Sequence, residues 1–156
     1  LHRNIFEKNL KTENITNIGC SIFSDEQFDL LSSLNKGEKK KESAIIKSGD
    51  PRKKTLETEA YCRQKGIEYK LISDPDNLKF LQKMSEFKRV YFMTGHPEPT
   101  PRIAVEARAL KCDFVSQKEL IGVAHEDWWR LSGDDLIEEL KAVREDSYSK
   151  FRDLIL

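Results

Sequence analysis

The sequence predicts an α/β domain built on a mainly parallel sheet, and three observations lead there. Residues 43–48, 67–73, 89–93 and 112–116 are short runs rich in apolar, β-branched or aromatic residues, the composition of strands buried on both faces. The segments between them carry apolar residues at helical spacing and are closed by Gly, Pro, Asp and Asn. Strict alternation of strand and helix requires parallel pairing through right-handed crossovers, which makes a Rossmann-like three-layer domain. A chain of 156 residues suits one such core.

In chain order, residues 1–13 form an N-terminal segment or linker in which Ile5, Phe6 and Leu10 have partly helical spacing, and 14–156 form the domain. Ser24 or Asp25 caps an amphipathic helix carrying Phe28, Leu30, Leu31 and Leu34. The charged run 36–42 has the composition of a solvated loop. After the strand at 43–48, Gly49, Asp50 and Pro51 turn the chain into a helix over 52–65. Arg52, Lys53 and Lys54 crowd the start of that helix, where cations oppose the dipole unless an anion or another partner compensates. Gly66 is a natural residue to end it in a left-handed conformation. The turn 74–77 starts a helix to about 87 on Leu78, Phe80, Leu81 and Met84.

The strand 89–93 runs into the loop 94–101, where Thr100 is the expected N-cap and Pro101 the first helical residue. Ile103, Ala107 and Leu110 mark the buried stripe of the helix 101–110. Beyond the strand at 112–116, Leu120, Ile121 and Val123 pack while Gly122 permits a tight turn. Trp128 and Trp129 read as core, although one of them could cover a pocket or a domain seam. The last helix begins at Ser132 or Gly133, carries Leu136, Leu140 and Val143, and ends on Phe151, Leu154 and Ile155, an apolar end suited to docking.

Composition excludes several classes. Lys plus Arg equals Asp plus Glu at 27 each, so no global field favours nucleic acid. No apolar run reaches the ~20 residues of a membrane helix, so no transmembrane segment is expected. Cys20, Cys62 and Cys112 are odd in number and widely spaced, which argues for reduced thiols and a cytoplasmic location. His2, His96 and His125 lack ligand spacing, so no metal site is expected. The chain starts with Leu, as a processed or partial chain would.

The chemistry-bearing stretch is 93–116, MTGHPEPTPRIAVEARALKCDFVS, in which Glu98 and Glu106 are separated by seven residues and straddle a helix N-terminus. Such an N-terminus attracts phosphate through free amides and the positive end of the dipole. The succession of strand, Glu, seven residues, Glu, Ala-rich helix and strand resembles the donor-binding half of retaining glycosyltransferases of the GT-B type. That resemblance implies that Glu98 contacts the donor sugar, Pro99 and Thr100 face the diphosphate, and Glu106 binds the ribose hydroxyls. It also implies that Lys54 or Lys53, helped by Arg52, meets the diphosphate and stabilises the leaving group, which makes Glu98 and Lys54 the expected catalytic pair. Lys111 and Thr55 stand where that family has Gly. Read without the resemblance, Arg102 and Glu106 are a surface ion pair worth a few tenths of a kcal/mol, Glu98 is ordinary loop polarity, the basic turn is solvated, and His96 is a hydrogen-bonded loop side chain.

If the second strand lies outside the first and the third returns to its other side, a topological switch point falls between strands one and three, and ligands bind there. The loops leaving those strands are the ones that carry the cations and the carboxylates. The expected function is binding of a nucleotide sugar, such as a UDP- or GDP-sugar, as substrate with no other cofactor. An unknown acceptor, and either an acceptor domain outside this chain or self-association, complete the expected partners. The alternative is a non-catalytic nucleotide-binding or protein-interaction module on the same fold.

Overall fold

The computed structural model describes residues 23–155, so expectations for 1–22, including Ile5, Phe6, Leu10 and Cys20, lie outside the described residues. Nine regular elements follow in order: α1 (Asp25–Leu34), β1 (Lys41–Ile46), α2 (Thr55–Gln64), β2 (Lys70–Ile72), α3 (Asn77–Ser85), β3 (Phe87–Tyr91), α4 (Arg102–Ala109), β4 (Asp113–Val115) and α5 (Gly133–Ile155). The four strands form one parallel sheet in the order β2-β1-β3-β4. This is the Rossmann-like α/β architecture, with the switch point between β1 and β3.

Register explains the layers. Ala44, Val90 and Phe114 stand side by side across β1, β3 and β4, as do Ile45, Tyr91 and Val115 one position later. Alternate residues of a strand face opposite sides, so the first row joins the large core and the second a smaller one. The large core takes Phe28 and Leu31 from α1, Leu81 and Met84 from α3, Val105 and Ala109 from α4, and Leu136 and Leu140 from α5. The smaller core holds Ile45, Tyr91 and Cys62 of α2. One helix therefore covers one face of the sheet and four cover the other.

Local chemistry sets the helix ends. Ser24 caps α1 in a reciprocal box with Gln27, and Asp76 caps α3 by accepting from the Lys79 amide at 3.0 Å. Gly66, at φ 65°, closes α2 as expected. Lys111 makes the same left-handed turn after α4 at φ 60°, with its own amide bonded to Arg108 O and that of Cys112 to Ala107 O. A lysine thus keeps the glycine shape there, at a backbone cost of about 1 kcal/mol. Lys111→Gly is expected to raise the melting temperature by roughly 3 °C, and scanning calorimetry of the two chains checks it.

Boundaries differ from the sequence reading in one systematic way. β1 and β3 each begin and end two residues earlier than expected, so the residues leaving the sheet, Lys47, Ser48, Phe92 and Met93, belong to loops. Both tryptophans are half-buried against the large core, Trp129 edge-on to Phe114 at 6.1 Å. At the far end of α5, Tyr148, Phe151, Leu154 and Ile155 stand exposed. Among the described residues no helix is long and apolar enough to cross a membrane.

Candidate functional site

The loops after β1 and β3 meet at the switch point, where the Gly95 amide donates to Arg52 O at 2.8 Å. Asp50 organises the first loop, accepting from the Arg52 amide at 2.9 Å and starting a single 3-10 turn, Pro51–Lys53. The Arg52 guanidinium grips the same carboxylate with contacts of 2.7 to 3.0 Å, which holds its pKa down to about 2. Lys54 then takes a left-handed conformation, φ 50° and ψ 38°, before α2 starts at Thr55.

This geometry answers the clash between three cations and a helix dipole. α2 begins three residues later than expected, and each cation has its own carboxylate: Arg52 with Asp50 at 2.7 Å, Lys53 with Glu98 at 2.7 Å, and Lys54 with Glu57 at 2.8 Å. The left-handed residue also separates the two lysines. Lys53 enters a cleft on the α3 and α4 side of the sheet, and Lys54 lines a different groove on the α2 side.

The second loop is held from outside. The Glu98 amide donates to Leu120 O at 2.7 Å and the Gly122 amide donates back to Glu98 O at 2.8 Å, a parallel bridge that straps the loop to the segment after β4. A Cβ on Gly122 would lie 2.3 Å from Pro99 O and 2.8 Å from Pro99 Cα. Gly122 is therefore required by the close approach of Pro99, besides lying in the tight turn that the Ala124 amide closes on Ile121 O at 3.1 Å. The amide of buried Thr94 donates to Gln117 Oε1 at 3.1 Å, and its hydroxyl lies 3.0 Å from both His96 O and Glu98 Oε1.

Glu98 and Glu106 open onto one cleft of about 360 Å³, with Pro101 and Arg102 between them. Ser48, Lys53, Phe80, Phe92 and Ile103 complete the working part of its wall. The Glu98 side chain is 13% exposed, and its partner Lys53 also lies over the Phe92 ring at 5.3 Å. Glu106 is 6% exposed at the side chain and accepts from Arg102 Nε at 3.0 Å. The pair is thus not a surface ion pair, because one partner is buried. Burial pushes the Glu106 carboxyl above its ordinary range and outweighs the opposing pull of Arg102.

Thr100 does not cap α4. Pro101 occupies the N-cap position without a side-chain bond, so Arg102 is the first helical residue. The physical result is that the amides of Arg102 and Ile103 meet no capping side chain at the edge of the cleft that both residues line. Pro99 and Thr100 are not part of that lining, and Arg52 points at Asp50. The structure therefore brings Glu98, Glu106 and Lys53 together and leaves Lys54, Pro99, Thr100 and Arg52 at the margins. The sequence reading missed Ser48, Phe80 and Phe92, whose apolar or small side chains look like core or turn until the sheet order is known.

No protein-family model, curated protein or solved structure matches this chain. His96 leaves Nδ1 buried with no partner among the described residues and does not line the cleft. Among the described residues no group of His, Cys, Asp and Glu could hold a metal ion.

Proposed function

We propose that this chain is the donor-binding half of a retaining glycosyltransferase of the GT-B type, and that the cleft at the switch point takes a nucleotide-activated sugar. The observation that carries the reading is the placement of Glu98 and Glu106 on one cleft with the uncapped start of α4 between them and Lys53 beside it. In this reading Glu106 accepts from the ribose hydroxyls, the amides of Arg102 and Ile103 and the Lys53 ammonium hold the diphosphate, and Phe80 and Ile103 offer apolar surface to the base. A bound diphosphate draws Lys53 away from Glu98, which frees that carboxylate to accept from sugar hydroxyls. Lys53 then stabilises the charge that develops on the departing diphosphate. The acceptor oxygen bonds to the anomeric carbon on the face the diphosphate leaves, and its proton passes to a phosphate oxygen. Of the two lysines, the cleft geometry favours Lys53 for this task.

A binding module that performs no transfer uses the same fold, and the exposed apolar end of α5 favours it as the second reading. Melting curves with uridine, guanosine, adenosine and cytidine diphosphates and their sugar conjugates test the proposal. One nucleotide is expected to stabilise the fold by about 2.7 kcal/mol when present at a hundred times its Kd. Lys53→Ala is expected to abolish most of that increment and Lys54→Ala to retain it. Absence of a shift with every compound refutes the donor site and leaves the interaction module.

A further inference from the structure

The groove that Lys54 enters is larger than the cleft and lies on the opposite face of the sheet. We propose that this groove, between α2 and the loop after β3, is a saccharide-binding site separate from the nucleotide cleft. Its volume is about 550 Å³, within the range of roughly 300–1,000 Å³ that small-molecule sites occupy. Tyr61, Gln117, Lys54, Glu57 and Leu120 supply the chemistry.

Tyr61 is 37% exposed and its ring leans on buried Tyr91 at 6.4 Å, so the ring is braced from behind while it lines the groove. A braced aromatic surface suits the apolar C–H face of a pyranose. The Gln117 amide is oriented because its Oε1 accepts from the Thr94 amide at 3.1 Å. Its two Nε2 donors make no hydrogen bond among the described residues, and a planar amide so placed reads a sugar hydroxyl. Lys54 and Glu57, paired at 2.8 Å and each about half exposed, add a donor and an acceptor that water already reaches.

Charge selects the ligand class. Lys54 and Glu57 cancel, and every other lining residue is neutral, so the groove offers no net attraction to phosphate or to a cation. Neutral hydroxyl-rich ligands fit it best. Lys54 sits at φ 50°, and Gly95 leaves room for its side chain along the groove, since a Cβ there would lie 2.9 Å from Lys54 Cε.

The test is an amide-resolved NMR titration of the full chain with methyl glycosides of glucose, galactose, mannose and N-acetylglucosamine. At least one is expected to give saturable shifts at Tyr61, Gly95 and Gln117 with millimolar affinity. Gln117→Ala should weaken that binding about tenfold, Tyr61→Ala should remove it, and Tyr61→Phe, which keeps the ring, should retain it. Uridine, guanosine, adenosine and cytidine diphosphates added in turn to the same samples report the cleft through Phe80 and Glu106, so failure at one site is distinguishable from failure at the other. Shifts confined to the cleft, or none with any glycoside up to about 50 mM, overturn the proposal, as does equal binding by Tyr61→Ala in a chain whose amide spectrum is otherwise native.

Discussion

Gly122→Ala is expected to lower the melting temperature by roughly 2–12 °C, because the added methyl meets backbone and not a side chain that can swing away. The contact is with Pro99 O at 2.3 Å, Pro99 Cα at 2.8 Å and Pro99 C at 2.9 Å. Relief requires the strap between Glu98 and residues 120–122 to open, with loss of two backbone bonds of 2.7 and 2.8 Å. Overpacking of this kind costs about 1–3 kcal/mol, and a chain of this size shifts by about 2–4 °C per kcal/mol. Gly49→Ala is the control, since nothing lies within 4 Å of its would-be Cβ, and it should melt within about 2 °C of the parent. On the proposed function, displacement of Glu98 should also weaken binding of the nucleotide sugar by more than about tenfold. Calorimetry and binding isotherms on the same two variants decide it, and unchanged melting of Gly122→Ala would mean that the strap does not hold the loop.

If the cleft takes a nucleotide sugar as proposed, Glu106→Gln is expected to separate binding from stability by moving them in opposite directions. The glutamine keeps the volume and can still accept from Arg102, so the packing of α4 is undisturbed. The lost charge is the one that would bind ribose hydroxyls, and a hydrogen bond to a charged group is worth about 1.5–3 kcal/mol, so affinity should fall roughly 10- to 100-fold. Stability follows the carboxyl's raised pKa. The folded chain holds that proton more tightly than the unfolded chain, so the favourable contribution of Glu106 is complete below the ordinary glutamate value of 4.5 and is lost as pH rises through the raised value. Above the raised value the native chain carries a buried charge that Gln does not, and there Glu106→Gln should melt at or above the parent. Toward pH 4.5 the two curves should converge. A variant that loses stability and affinity together would make Glu106 a structural partner of Arg102 alone.

Much of the layout is legible in the chain. The strand runs at 43–48, 67–73, 89–93 and 112–116 identify the four strands of the described sheet because apolar runs of that length, bounded by turn residues, have few other uses in an alternating sequence. Ser24, Asp76 and Gly66 end helices as their side chains, or the lack of one, dictate. Thr100 fails because capping needs the residue just before the first helical turn, and that turn starts at Arg102, one residue later than expected, so Pro101 is the N-cap. Phe80 and Ser48 could not be assigned to a site from spacing, since the cleft joins residues from β1, α3 and α4 that lie far apart in sequence.

What the sequence determined alone is therefore local: the alternation of strands and helices, the placing of two carboxylates on either side of a helix start, and the gathering of three cations in one turn. What only the tertiary structure decided is direction and burial. Two adjacent lysines are equivalent on paper, yet the left-handed backbone at Lys54 sends one to each face of the sheet, Lys53 toward Glu98 and Lys54 toward Glu57. Glu106 and Arg102 are an ordinary helical pair by spacing, but the parallel order β2-β1-β3-β4 puts α4 against the core and leaves that carboxylate on the floor of a cleft. Side-chain direction depends on backbone dihedrals and burial on elements distant in the chain, and both are set only when the strands pair.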